Sequence, residues 1–115
     1  MTTELTTHAK EKSTFIITAA FTDEDENAVA PKTLTWTLTD EQGTVINGRE
    51  DVAVTTPSAS EDIVLSGDDL ALQSGEATRG VRVLTVEATY DSDAGSDLPL
   101  NEEIRFIVDG LVAVE

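Results

Sequence analysis

Two short acidic stretches hold the residues best suited to chemistry. In Thr22–Asn27 the side-chain oxygens of Asp23, Asp25 and Asn27 fall at alternate positions, and in the stretch that opens at Asp91 the carboxylates of Asp91, Asp93 and Asp97 do much the same. A hard cation such as calcium takes about six to eight oxygen ligands, and alternate residues of a curved loop can turn theirs toward one point. Asp23 to Asn27 reproduces the opening of an EF-hand loop. It then departs from it: Ala28 stands where that loop needs glycine, and Leu34 where it needs a bidentate glutamate. These six residues are therefore candidates for a calcium cage of another build, against the plainer reading of two solvated loops.

Other chemistries find little material. The chain has no cysteine and a single histidine, His8, which leaves no thiolate, no internal zinc set and no Ser-His-Asp triad. No glycine-rich phosphate cradle occurs, Ser58 and Ser60 have no base near them in sequence, and nothing singles out one carboxylate pair from the rest. The expectation is a protein that is not an enzyme and has no cofactor beyond the candidate calcium.

Charge narrows the partners. Lys and Arg total 7 against 23 Asp and Glu, a formal charge of −16 over 115 residues. Such a surface repels phosphates and anionic head groups, so nucleic acid and membranes are not expected partners; the plain reading of the acidity is solubility and avoidance of self-association, beside which stand salt adaptation, a cation site or a basic docking partner. Met1 to Lys12 carries no apolar core of the kind a secretion signal needs, and no stretch is long and apolar enough to span a bilayer.

The elements that must position these loops read as strands. Arg79–Tyr90 puts Leu84, Val86, Ala88 and Tyr90 on one side and Thr85, Glu87 and Thr89 on the other, the period of a half-buried strand. Thr33–Thr39 alternates more cleanly still, with Leu34, Trp36 and Leu38 inward and four threonines outward. Thr14–Phe21 turns Phe15, Ile17, Ala19 and Phe21 inward. Shorter strands are expected at Thr44–Asn47, at Asp51–Thr55, and around Ile63 and Leu65. A helical turn is expected within Gly67–Gly75 with Asp68 as its cap, a long loop over Asp91–Leu100, and a last core strand over Glu102–Asp109 that buries Ile104, Phe106 and Val108.

About seven short strands with an early tryptophan, a crossing segment before a long strand, and a final hairpin partner predict an all-β fold: an immunoglobulin-like antiparallel β-sandwich. In that arrangement the Thr14, Trp36, Arg79 and Ile104 strands take the B, C, F and G positions. The two acidic loops then emerge at the same end. Residues 1–12 read as a flexible N-terminal arm, and 13–115 as one sandwich domain ending in an apolar tail. Leu111, Val112, Ala113 and Val114 either continue the last strand or add to a partner's sheet edge.

The run from Phe21 to Ile46, with its acidic loop, its Thr-Leu-Thr-Trp-Thr-Leu-Thr strand and its Asp-Glu-Gln-Gly turn, resembles small immunoglobulin-like virion structural proteins of tailed bacteriophages. It resembles bacterial immunoglobulin-like adhesin modules less closely. The first resemblance implies a capsid decoration, head-tail junction or tail accessory protein located in the virion. Its implied partners are the major capsid or tail and neck proteins, and other copies of itself on the particle. The second implies a cation-dependent binding module that works through the acidic loop end.

Overall fold

The computed structural model describes residues 2–76 and 78–113. Eight strands and one 3-10 turn make up an all-β sandwich: β1 Thr2–Glu4, β2 Ala9–Lys10, β3 Thr14–Ala20, β4 Thr33–Thr39, β5 Val52–Ala53, β6 Ser60–Ser66, β7 Arg79–Ser92 and β8 Gly95–Asp109. Six strands form one sheet in the order β1-β8-β7-β4-β5, with β2 also on β8, and β3 and β6 form the second sheet. β3, in the B position, paired with β6 and facing a sheet that contains β4, β7 and β8 in the C, F and G positions, is consistent with the immunoglobulin-like arrangement. The molecule is long, 52 × 25 × 23 Å.

Alternation decides what is buried. In β4 Leu34, Trp36 and Leu38 are buried between half-exposed threonines, and in β7 the even positions Leu84, Val86, Ala88 and Tyr90 face the core. Ile17 and Ala19 of β3 and Ile63 and Leu65 of β6 close over them from the other sheet. The rings of Phe15 and Phe106 meet across the sheets at 5.1 Å with a 31° tilt, within the centroid separations that aromatic pairs favour.

Five expectations need correction. The stretch read as a flexible arm supplies β1 and β2, which pair in parallel with β8 through Thr3↔Ile104 and Ala9↔Val108. Its threonines gave no apolar period, but an edge strand held mainly by backbone hydrogen bonds needs none. Asp91–Leu100 is not a loop, because β7 and β8 continue to a tight turn at Asp93–Ala94 and pair Ser92 with Gly95. Pro99 lies within this stretch of β8. Thr89, its partner, turns its carbonyl to the Lys32 amide on the β4 side, so the Pro99–Thr89 pair exchanges no hydrogen bonds and the missing N–H costs nothing.

The remaining three are local. The Thr44–Asn47 strand is reduced to one bridge, Thr39↔Val45, and the Asp51–Thr55 strand to Val52–Ala53. The 3-10 turn spans Gly67–Leu70, and it is the buried Asp69, not the exposed Asp68, whose carboxylate accepts the Ser66 N–H at 3.1 Å.

Candidate functional site

The two acidic loops meet at one end of the sandwich, where β3 leads into the first and the β7–β8 hairpin carries the second. Thr22 and Ala28 form an isolated bridge that closes the first loop. Inside it the Asp23 carboxylate accepts the backbone N–H groups of Asp25 at 2.9 Å and Asn27 at 3.0 Å, and Glu26 takes a left-handed φ of 63° to complete the turn. Oxygens of Asp23, Glu24 and Asp25 lie within 4.8 Å of one another.

The second loop is organised by a cation. Lys32, just before β4, places its ammonium 2.6 Å from Asp97 and 3.3 Å from Asp91, while Asp91 also accepts the Asp97 backbone N–H at 2.9 Å. The Asp97 N–H, and after it Lys32, hold the Asp91 carboxyl below its ordinary value, and the same carboxylates, Asp97 first, raise the Lys32 ammonium above its own. Asp91 and Asp97 are thus already served by a positive charge.

Glu24 joins the loops. Its Oε1 accepts the Tyr90 hydroxyl at 2.9 Å and the Ser92 hydroxyl at 3.0 Å, and that contact, followed by burial and the neighbouring Asp23 and Asp25, pushes the Tyr90 phenol above its ordinary range. So the structure brings Asp23, Asp25 and Asn27 together, and Asp91 with Asp97. Asp93 sits exposed in the hairpin turn, and the contact between the two groups runs through Glu24. Sequence reading passed over Glu24, Tyr90 and Lys32. A period-2 ligand pattern selects odd positions and skips Glu24, and a lone lysine after a proline carries no signal until β4, β7 and β8 are assembled side by side in one sheet.

Chemically, this end is a tethered pair of loops with a self-compensated half and an uncompensated half. The uncompensated half, Asp23 to Asp25, offers the carboxylate oxygens that a hard cation takes.

The tail lies at the opposite end. β8 stops at Asp109, Gly110 donates to the Thr78 carbonyl at 2.7 Å, and Leu111 donates to Glu11 Oε1 at 3.0 Å. Leu111 and Val112 are exposed, Val112 fully, and Ala113 is exposed beside them. Val114 falls outside the described residues. Leu72, Gln73 and Glu76 on one side and Gly110, Leu111 and Val112 on the other line an open groove.

No family model, no curated protein and no solved structure matches the chain.

Proposed function

We propose that this chain is a non-enzymatic structural component of a tailed-phage virion, a capsid decoration, head-tail junction or tail accessory protein that docks on a repeating lattice. The family reading comes from the resemblance of the Phe21–Ile46 run. The observation that carries docking is the tail: on a chain of charge −16, Leu111 and Val112 leave the last strand and stand in solvent with 40% and 107% of their surface exposed. Apolar residues in that position gain by being covered, and many weak copies on a lattice add up through multivalency. The partners are other virion proteins and further copies of this chain on the particle.

Quantitative mass spectrometry of purified particles from the source tests it. A ratio near that of the major capsid protein assigns a covering role, and a few per cent of it assigns the neck or tail. Absence sinks the reading. Deleting 111–115 while the domain stays folded is expected to weaken particle binding, and unchanged binding removes the tail from the docking surface.

A second reading, a cation-dependent binding module, is favoured by the convergence of Asp23, Glu24 and Asp25. It expects calcium to raise the melting temperature, since a ligand that binds only the folded state stabilises it by mass action. A melting temperature unmoved by millimolar calcium removes it.

A further inference from the structure

The second sheet has only two strands, and the way they pair leaves a row of backbone groups facing outward. At the two ends of the pair, Phe21 donates to the Ala59 carbonyl at 2.8 Å and Gly67 donates to the Ser13 carbonyl at 3.1 Å. With the register Ile17↔Ile63, this makes Phe15, Ile17 and Ala19 the residues that exchange hydrogen bonds with β6, because bonded and non-bonded pairs alternate along an antiparallel ladder. Thr14, Ile16, Thr18 and Ala20 must then turn their N–H and C=O groups away from β6. All four are exposed, and none has a backbone partner among the described residues.

Free edges are ordinarily blunted by charge, by proline or by shortness. The other edges of this molecule obey that rule: β5 has two residues, β1 and β2 have three and two, and β6 carries Glu61 and Asp62. By contrast β3 runs seven residues, Thr-Phe-Ile-Ile-Thr-Ala-Ala, with no charge, no proline and no bulge in its register. Ile16 stands 56% exposed opposite Val64 at 52%, an apolar pair on the outer face. On the inner side Leu5 lies beside the edge, and with Ile17, Ala19 and Ile104 it lines a groove that runs along β3. An added strand would find apolar contacts on both of its faces.

Charge along the edge is uneven. Lys10 and Lys12 precede its Thr14 end, whereas Glu61 opposite Ala19, Asp62 opposite Thr18 and Glu102 in the groove border its Ala20 end, which continues into Asp23–Asp25. A second copy of this chain brings another −16 to the same place, and that repulsion disfavours it as the occupant.

We propose that the β3 edge is a strand-docking site for a basic partner protein, whose extended, alternately apolar segment adds a third strand to the β3–β6 sheet with its Lys- or Arg-bearing end over Ala20. Main-chain hydrogen bonds to Thr14, Ile16, Thr18 and Ala20 supply the affinity, and the acidic end supplies the polarity. The inference rests on the docking reading above and not on the particle. If the chain were absent from particles, peptide binding at this edge would still stand; if the edge bound nothing, a chain found on particles would still be docked by other surfaces.

The test is amide hydrogen exchange on the full chain with a synthetic peptide of alternating valine and threonine that carries two lysines at one end. The expected result is protection of the Ile16 and Thr18 amides, weakened by salt, and lost when glutamates replace the peptide's lysines or its edge-facing amides are N-methylated. Ile16→Pro removes an outward N–H and Ile16→Lys adds an outward charge, each with loss of the Ile16 side of the Ile16–Val64 pair; each is expected to weaken peptide binding by about tenfold or more while the buried Trp36 keeps its folded fluorescence. Three outcomes overturn the proposal: no protection of these amides, undiminished binding by both variants, or protection that appears without peptide as protein concentration rises, which would make a second copy the occupant.

Discussion

The two ends of the sandwich handle charge in opposite ways. At the end that holds the 3-10 turn and the start of β7, charge is drawn inward: Arg82 is fully buried on the core side of β7, and its guanidinium meets Glu76 at 2.6 and 2.9 Å and the carbonyls of Ala71 and Val81. Asp69, also fully buried, accepts Arg49 at 2.7 Å, Asn47 at 2.9 Å and the Ser66 N–H at 3.1 Å. At the other end the carboxylates stay in solvent, and Lys32 alone answers Asp91 and Asp97. Buried ions set stability because removing one partner strands the other; exposed ions are screened and set the field that a partner meets.

The sharpest way to break that contrast is at Glu76. Glu76→Ala leaves Arg82 buried with its charge unanswered and is expected to cost about 3 kcal/mol of unfolding free energy in urea titration. Arg82→Met, which removes the charge with the need for it, is expected to cost much less or to stabilise. If Arg82→Met proved the costlier of the two, the pair would be a net source of stability and not a compensated burden.

Next in size is Asp69→Ala, expected to cost about 2 kcal/mol, since the Asn47 amide and Ser66 N–H lose a buried acceptor. Gly80→Ala should follow at about 1–2 kcal/mol. A Cβ there would stand 2.2 to 2.6 Å from the Glu76 carboxylate, so the glycine is what lets Glu76 lie across the strand and reach Arg82. Glu76→Ala in the same chain should remove most of the Gly80→Ala penalty, a coupling that a double-mutant cycle reads directly.

Acid should expose the same contrast. For Asp69 burial pushes the carboxyl upward, but Arg49, Asn47 and the Ser66 N–H together hold it below its ordinary 3.8; for Glu76 the Arg82 contact leads and holds it below 4.5. A carboxyl depressed in the folded state contributes stability that is complete above its unfolded value and is lost as pH falls through its folded value. Stability is therefore expected to hold down to about pH 4.5 and to fall below it, and Glu76→Gln should flatten that fall. The smallest effect belongs to the other end. Lys32→Ala should leave the melting temperature unchanged and let the Asp91 carboxyl rise only part of the way to its ordinary value, because the Asp97 N–H, the larger cause, remains; a full return in an NMR titration would reverse that ranking.

Arg82 also marks where the sequence could be read and where it could not. It is in phase with Leu84, Val86, Ala88 and Tyr90, so the alternation that identified β7 already placed a charge on the core side. Its partner, Glu76, was invisible because the chain between Leu70 and Thr78 has no period to follow. β4 was legible to the residue, Thr33–Thr39, since its burial and its threonines obey one rule. Other strands were not: β1 (Thr-Thr-Glu) and β2 (Ala-Lys) are too short to show a period, and the outer half of the β7–β8 hairpin is rich in Thr, Ser and Asp that interrupt any apolar alternation. The meeting of the two acidic loops followed from topology once strands B, C, F and G were assigned, but the contact itself, Glu24 with Tyr90 and Ser92, depends on side-chain reach that spacing does not encode.

The placement of β8 has a consequence for how the chain folds. It is the pairing partner of β7 beside it and of β1 and β2 about a hundred residues earlier, with Thr2 opposite Glu103. During synthesis the strand that both regions require leaves the ribosome last, so the amino-terminal strands have nothing to join until the rest of the domain has emerged. The long β7–β8 hairpin, whose contacts are local, is then the natural nucleus, and closure of β1 and β2 on it should be the slow, final step.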